Sequence, residues 1–482
     1  MIQTTEDIIQ VIERNQEELT SRMLKELITD HRSGDGNRVR GLWERYKLAN
    51  AEILSRVPAA YEKVDRRIAN DFYADVVDTK TGYMGNEVTV SLDRENFKTD
   101  GVLNEEEFGD QRKWLRMFQL MNSVEDQNSE LVRSSAAMGV TYRLLYVNKE
   151  GEVRMKELPP WEVIYIYDQS IDDPHVAIRY YVVEVQAFGD RTKKEELTVV
   201  EWYDAKHITY YIDNGKLQFK LDTSKGINGQ DIHLFENVPI VPFPNNKEMT
   251  GEPEKVLTLI DAYDAILSST ASEIEQLRLA YMFIKGAGMK VDKEFVRLLE
   301  QTGVLPLEET GDAGFINKQL SDVPIQNMLA EIRKNIYQFS KSIDMSKDFG
   351  GEMRVIGWQV ALLNLENSSK ITERKFTKAF YYQYDLLTKY WKTYKGIEID
   401  LYSLDFVFTR NFPRDLKAEA ETLNILKNSV STKTAFELMS FIDDPEEEMA
   451  RMEQEPDPYR RYLEDGLEPG VPGDPEADRE DQ

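Results

Sequence analysis

Apolar positions in the first part of the chain recur every three or four residues, the period of a helix packed on one side. Ile8, Ile12, Leu19, Met23 and Leu27 place a helix over 4–30. A second is expected over 38–70, after a loop at Ser33–Asn37. Residues 104–138 are again helical and stop near Gly139, where the period falls to two. Thr141–Val147 and Val153–Glu157 flank Asn148-Lys-Glu-Gly151, a hairpin signature with a glycine available for positive φ. Short strands are expected at Val163–Tyr167, Val176–Val185, Glu196–Asp204, His207–Ile212, Lys216–Lys220 and Val238–Pro242, with a turn at Asp213–Gly215. A β-rich block over 140–245 between helical regions makes the fold α+β.

Beyond Pro244 the pattern changes. Glu254–Ile284 reads as one helix with a stripe of Val256, Ile260, Tyr263, Leu267, Ala271, Ile274, Leu277 and Tyr281, ended by Gly286 and Gly288. A compact insert follows: helix Asp292–Gln301, strand Gly303–Leu307, turn Glu308–Gly314 and strand Phe315–Leu320. A helix from Pro324 to Ile343 carries Ile325, Leu329, Ile332, Ile336, Phe339 and Ile343 on one face, with Asn327, Lys334, Gln338 and Lys341 opposite. Residues 344–357 hold Gly350, Gly351 and Gly357 and read as a flexible loop. Trp358–Lys395 is a third long helix, Ile397–Thr409 one or two strands, and Arg414–Glu455 helical. Helices this long with single stripes fit either an intramolecular bundle or a ring in which neighbours bury the stripes.

Charge narrows the options. The 482 residues carry 60 Lys and Arg against 87 Asp and Glu, a net charge of -27. Tight gripping of nucleic acid in a basic cleft is disfavoured, since that binding neutralises phosphates. Asp443–Gln482 holds 16 acidic and 4 basic residues and six prolines, and from about Asp457 it is expected to be a disordered acidic tail. Lys370–Lys395 runs the other way, with seven basic and two acidic residues.

The chain has no cysteine and four histidines without ligand spacing, so thiol catalysis, disulfides and a zinc site are not expected. No phosphate-binding glycine loop or nucleophile elbow occurs. No apolar run is long enough to cross a bilayer, and the first residues lack a signal peptide's apolar centre, so a soluble protein used without export is expected. Asp78-Thr-Lys80, with Asp65 or Asp71 upstream, is a faint metal-nuclease pattern. Asp261 and Asp264 share a helix face and read as solvated. Nothing here requires an enzyme or a cofactor.

Four stretches carry a family likeness: NDFYADVVDTKTGYMGNE (70–87), GVTYRLLYVNKEGEVRMKELPPWEVIYIYDQ (139–169), VPIVPFPNNKEMTGEPEKVLTLIDAYDAILSSTASEIEQLRLAYMFIKGA (238–287) and FGGEMRVIGWQVALLNLENSSKITERKFT (349–377). The chain resembles, over about residues 40–440, the portal (head–tail connector) proteins of tailed phages, in the family typical of long-tailed phages of Gram-positive hosts. Pro159-Pro160 after the hairpin and Pro244-Asn-Asn246 before the long helix are the most specific features. One departure is the run Glu352–Gly357 after the double glycine, where the family often has small polar residues.

The resemblance implies a ring of about twelve subunits at one capsid vertex, a closed cyclic assembly through which double-stranded DNA enters and leaves. It maps a wing to 1–252, a stem helix to 253–284, a clip to 285–322, a second stem helix to 323–343, a tunnel loop to 344–358, a long wing helix and returning strand to 359–412, and a crown to 413–456. On that map Lys347, Asp348, Arg354, Val355 and Ile356 would face DNA from the tunnel loop, and Lys334, Gln338 and Lys341 from the stem. Ile260, Tyr263, Leu267, Ile274, Ile332 and Ile336 would form subunit contacts. Phe283, Val304, Leu305, Phe315 and Ile316 would build the clip. Implied partners are further copies of the chain, DNA bound without sequence preference, the terminase large subunit, head-completion or adaptor proteins, and the major capsid and scaffold proteins. No membrane is implied; the place is the virion, with assembly in the host cytoplasm. The alternatives are another structural or scaffold-like virion protein, or a metal-dependent nuclease built on Asp78 and Lys80.

Overall fold

Among the described residues, the apolar repeat of the N-terminal third becomes six helices, several packed against antiparallel sheets. The computed structural model describes residues 17–57, 64–84, 87–99, 102–166, 176–186, 194–213, 217–278, 281–287, 293–303, 307–316, 322–346 and 354–411, with scattered positions from 421 to 452. The chain divides into two units, Met1–Asn411 and Phe412–Gln482. In the second, the described residues include a short helix, Thr432–Glu437, whose first turn is capped by the Ser431 hydroxyl accepting from the Thr434 amide. Apart from those scattered positions, the expected crown and the whole of the acidic tail lie outside the described residues.

Helix α1 (Glu17–Ser33) turns Met23, Leu24 and Ile28 onto a sheet, and α2 (Asp35–Tyr46) begins one residue after Gly34 rather than after a five-residue loop. Of the helix expected over 38–70, residues 38–46 are the end of α2; the chain breaks at Leu48 (φ +55), the described residues then give α3 (Glu52–Ser55), and 64–71 is not helical. Pro58 lies inside the expected span and has no amide hydrogen to donate to a helix. Helix α4 (Phe72–Met84) precedes β1 (Glu87–Leu92) and the short pair β2 (Lys98–Thr99) and β3 (Val102–Leu103). The helix expected at 104–138 is two, α5 (Glu105–Asn122) and α6 (Val124–Met138), broken at Ser123 with φ +47.

Gly139 closes α6 at φ +89, and a Cβ there would meet the Met249 carbonyl oxygen at 2.2 Å. Strands β4 (Val140–Val147) and β5 (Val153–Leu158) form the expected hairpin, with Gly151 at φ +73. Next come β6 (Val163–Ile166), β7 (Val176–Gln186), β8 (Lys194–Tyr203), β9 (His207–Asp213), β10 (Phe219–Leu221), β11 (Gln230–Ile232) and β12 (Ile240–Pro244). They make one sheet ordered β10-β9-β8-β7-β6, with β11 also on β9, and a second ordered β12-β4-β5. The turn expected at Asp213–Gly215 lies mostly outside the described residues.

Past β12 the expectation needs correction. A 3₁₀ turn at Glu254–Val256 leads into α7 (Leu257–Arg278), and Tyr281–Ala287 is strand β13, not the end of that helix. The expected turn at Glu308–Gly314 is part of β14 (Leu307–Ile316), which pairs antiparallel with β13 from Tyr281↔Ile316 to Ala287↔Leu307. Tertiary pairing decides here, because a glycine-containing polar run satisfies its backbone against a partner strand. Between them lies α8 (Lys293–Thr302), with Phe295 buried. Helix α9 (Asp322–Phe339) stops short of Ile343. Helix α10 (Arg354–Tyr390) continues as a wider turn through Trp391–Lys395 and ends at Gly396, φ +67. Strand β15 (Leu404–Thr409) returns to pair with β1.

The largest core lies along α10. Phe376, Phe380, Tyr384 and Leu387 are fully buried at helical spacing against Val241 and Phe243 of β12 and residues of α5 and α6. Arg143 of β4 lies inside this core, donating from Nη1 to Asn128 and Gln383 with its guanidinium 5.4 Å from the Phe243 ring centre. Burial, with no carboxylate bonded to it, lowers its pKa to about 10.

Candidate functional site

Helices α7 and α9 flank the β13–α8–β14 insert. They meet through Val256, Ile260, Ile332 and Ile336, all buried within the chain. Phe72 of α4 closes the cluster, edge-on to Tyr263 at 4.9 Å and to Tyr337 at 6.1 Å. Tyr337 donates to Asp75 at 2.8 Å, and burial followed by that bond pushes its hydroxyl pKa up. So Ile260, Ile332 and Ile336 fasten α7 to α9, with Tyr263 against them. Leu267 is half-buried and Ile274 is 49% exposed.

The other buried face of α7 is polar. Asp264, Ser268 and Ser272 lie one turn apart and receive alternate backbone amides of the extended segment 66–70. Asn70 donates to Asp264 at 3.1 Å, Ile68 to Ser268 at 2.9 Å and Arg66 to Ser272 at 2.9 Å. Four helical residues rise about 6 Å and two extended residues about 6.6 Å, so the two periods stay in step for three rungs. The helix thus stands in for a neighbouring strand. Asp264 is buried rather than solvated; burial raises its pKa against the two hydrogen bonds from Asn70. Asp261 is also taken, by Arg45.

Where α4, the 245–252 loop and α10 meet, Lys80 is buried with its ammonium donating to Glu252 at 2.6 Å, Asn245 at 2.9 Å, Thr372 at 2.9 Å and Ser368 at 3.3 Å. Burial lowers the Lys80 pKa, opposed by Glu252. For Glu252 burial pulls upward, but the Lys80 charge and the bonds from Asn245, Lys80 and Ser368 outweigh it and hold the carboxyl below its ordinary range. Asp78 instead accepts from Tyr46 at 2.9 Å, and Asp65 pairs with Arg67 and Arg56. Lys80 and Asp78 are thus committed to different structural partners. Among the described residues no group of carboxylates and histidines is placed to hold a metal ion, and no helix is long and apolar enough to cross a membrane.

Of the candidate DNA-facing residues, Lys334 and Gln338 are exposed on α9, Lys334 lying 3.5 Å from Glu331. Lys341 is not on the helix. It takes φ +59 one residue past the cap, with its amide on the Gln338 carbonyl and that of Ser342 on the Tyr337 carbonyl. Both bonds of a left-handed helix stop are present, with lysine where glycine is usual. Asp344 then accepts from Ser346 and from Arg333, which donates at 2.8 Å, and these bonds overcome burial to hold Asp344 low. The Asp344-Met-Ser346 spacing was the available signal for this turn. Lys347 and Asp348 lie outside the described residues. Arg354, Val355 and Ile356 are the first residues of α10 and α9 ends at Phe339, so the segment joining them is 340–353, displaced toward the N-terminus from the expected 344–358 loop. Of the residues expected in the clip, Phe283 is opposite Gly314, Phe315 opposite Met282 and Ile316 opposite Tyr281 in the β13–β14 pair. Val304 and Leu305 lie outside the described residues.

Comparison with known proteins bears on this arrangement. Residues 28–458 match the family described as phage portal protein, SPP1 Gp6-like. A portal protein of Bacillus phage SPP1 is 26% identical over 491 residues, covering 94% of this chain and 91% of that protein. A portal protein of Clostridium phage phiCD119 is 23% identical over 419 residues, covering 82% and 86%. The matched span includes α7, the β13–α8–β14 insert, α9 and all of α10. With a family match across most of its length, the chain belongs to the SPP1 Gp6-like phage portal proteins.

Proposed function

We propose that this chain assembles into a ring of about twelve copies at one capsid vertex, a closed cyclic assembly whose axial channel carries double-stranded DNA in packaging and ejection. The observation that carries this reading is the stem: α7 and α9, held together by Ile260, Ile332 and Ile336, flank a β13–α8–β14 insert inside the span matched to portal proteins. In that assembly the insert is the clip that docks the terminase large subunit and, later, head-completion or adaptor proteins. The wing contacts major capsid and scaffold proteins. The ring is assembled in the host cytoplasm and stays in the virion, with no catalytic step of its own.

The charge of -27 suits a conduit. Phosphates held by many cations release slowly, so an acidic wall with sparse cations lets DNA slide. Lys334 and Gln338 on α9, with Lys347 and Asp348 and the α10 start at Arg354, Val355 and Ile356, are the proposed channel contacts. Electron microscopy of the purified full chain tests the ring: the expected image is a ring with a central hole. A stable monomer at micromolar concentration would remove the reading. Replacing Lys347 and Arg354 together by Ala should leave rings intact and lower DNA packaging or retention; unchanged packaging would take these two residues out of the channel.

A further inference from the structure

A cleft of about 330 Å³ opens beside the Lys80–Glu252 pair, between the 245–255 segment, the end of α9 and the middle of α10. Its wall carries Lys247, Lys255, Lys341 and Lys375, and the only carboxylate there besides Glu252 is Glu248. Among the described residues, none of these four lysines has a carboxylate within ion-pair distance. Four other exposed lysines do find one, Lys334 with Glu331, Lys370 with Glu366, Lys389 with Asp385 and Lys392 with Glu398, whereas among the described residues Lys25, Lys113 and Lys378 have none; the cleft differs in gathering four on one wall. In a chain with 27 more acidic than basic residues, it is the gathering of four lysines in one cleft that is out of character. Their placement is built in: Lys341 is aimed by the left-handed turn after α9, Lys375 rides one turn from Ile371 on α10, and Lys247 and Lys255 flank the loop fixed by Asn245 and Glu252.

The rim is apolar. Phe339 is 57% exposed and Ile371 42% exposed, both lining the same cleft. A phosphate backbone would gain nothing from an exposed phenyl ring and a sec-butyl group, whereas protein–protein contacts combine apolar anchors with charge complementarity. An acidic protein that carries a cationic, apolar-rimmed cleft offers another copy of itself both kinds of contact.

We infer that this cleft is a contact between copies of the chain, in which Lys247, Lys255, Lys341 and Lys375 receive carboxylates of the neighbouring copy while Phe339 and Ile371 are covered by its apolar side chains. The inference rests on the ring reading and adds where the copies touch. It gives the unpaired lysines the partners that their own chain does not supply. It also makes assembly depend on salt, because these contacts are at the surface until the copies meet.

A zero-length carbodiimide, which joins an amine only to a carboxylate already in contact with it, tests the point on the full-length chain. Assemblies would be formed from equal amounts of chain grown on ordinary and on heavy nitrogen, so that links between copies show as mixed-isotope peptides. The expected result is a mixed-isotope link from at least one of the four lysines to an Asp or Glu. In parallel, the double variant Lys247→Glu, Lys375→Glu should assemble only at a concentration at least about tenfold higher than the original chain. Its far-UV circular dichroism should be unchanged. Rings that yield no mixed-isotope link at these lysines would overturn the inference while leaving the ring itself intact. So would a double variant that assembles at the original concentration, including one that assembles normally but loses DNA, which would make the cleft a phosphate site. A chain that never leaves the monomer would remove the ring reading as well.

Discussion

Helix α10 and helix α7 are both long, yet they bury opposite kinds of side chain. Along α10 the inward positions are Phe376, Phe380, Tyr384 and Leu387, and the helix is the centre of the largest core. Along α7 the fully buried positions from Asp264 onward are Asp264, Ser268 and Ser272, bonded to the backbone of an extended segment, while Ile274 stays 49% exposed. An aromatic stripe buries much area per turn and needs no fixed partner geometry. A polar ladder buries little but fixes register, since each rung satisfies one particular amide. The core around α10 is therefore stable through its own packing. Helices α7 and α9 are held in place by a few directed bonds and one isoleucine cluster, and Ile274 of α7 stays exposed.

The strongest challenge to this contrast is at the junction of the two regions. Lys80→Met should cost about 3–5 kcal/mol of unfolding free energy, because it leaves the Glu252 carboxylate buried without its cation. Chemical denaturation would measure it, and a loss under 1 kcal/mol would show that the junction is not held by this pair. The pair also sets an acid limb. Glu252 has a folded pKa below its ordinary 4.5, so its contribution is complete above that value and drains away as pH falls through the lower folded value. Glu252→Gln cannot titrate, so its stability deficit against the original chain should be largest near neutrality and shrink below about pH 4.

Next in size is the isoleucine cluster between α7 and α9. Ile336 is fully buried between α7 and α9, and Ile336→Ala should cost about 2–4 kcal/mol, read in the same denaturation experiment. A near-zero cost would mean that the two helices are held by neighbours rather than by each other. Smaller again are the rungs. Ser268→Ala strands the Ile68 amide and should cost about 1–3 kcal/mol, with faster hydrogen exchange confined to Arg66, Ile68 and Asn70. Exchange that rises across α10 as well would show that the ladder supports that core too. The smallest expected effect is at Lys334, 57% exposed and paired only within its helix: Lys334→Ala should shift unfolding by no more than about 0.5 kcal/mol.

Much of this was legible in the residues. The hairpin at Asn148–Gly151, the strand series from Val163 to Pro244, and the three long helices all follow from period and turn chemistry. The failures share a cause. Glu308–Gly314 looks like a turn by composition but is half of a strand pair, and Tyr281–Ile284 continues a helical stripe yet leaves the helix to meet that strand. Leu48 and Ser123 take positive φ where nothing in their side chains asks for it. The site residues divide in the same way. Lys334 and Gln338 stand exposed on α9 as their face of the helical repeat implied, whereas Lys341 is carried off it by a capping turn that the periodicity extended through.

Alone, the sequence determined the α+β class, the order of the long helices, the acidic balance and the family likeness, because these depend on composition and on contacts within a few residues. Tertiary structure alone decided that Ile260, Ile332 and Ile336 face each other. It also decided that Asp264, Ser268 and Ser272 serve the backbone of 66–70, and that Lys80 serves Glu252 rather than any chemistry with Asp78. Those partners are about 70 to 290 residues apart along the chain, and which of several equally amphipathic faces meets which is a matter of packing, not of local preference.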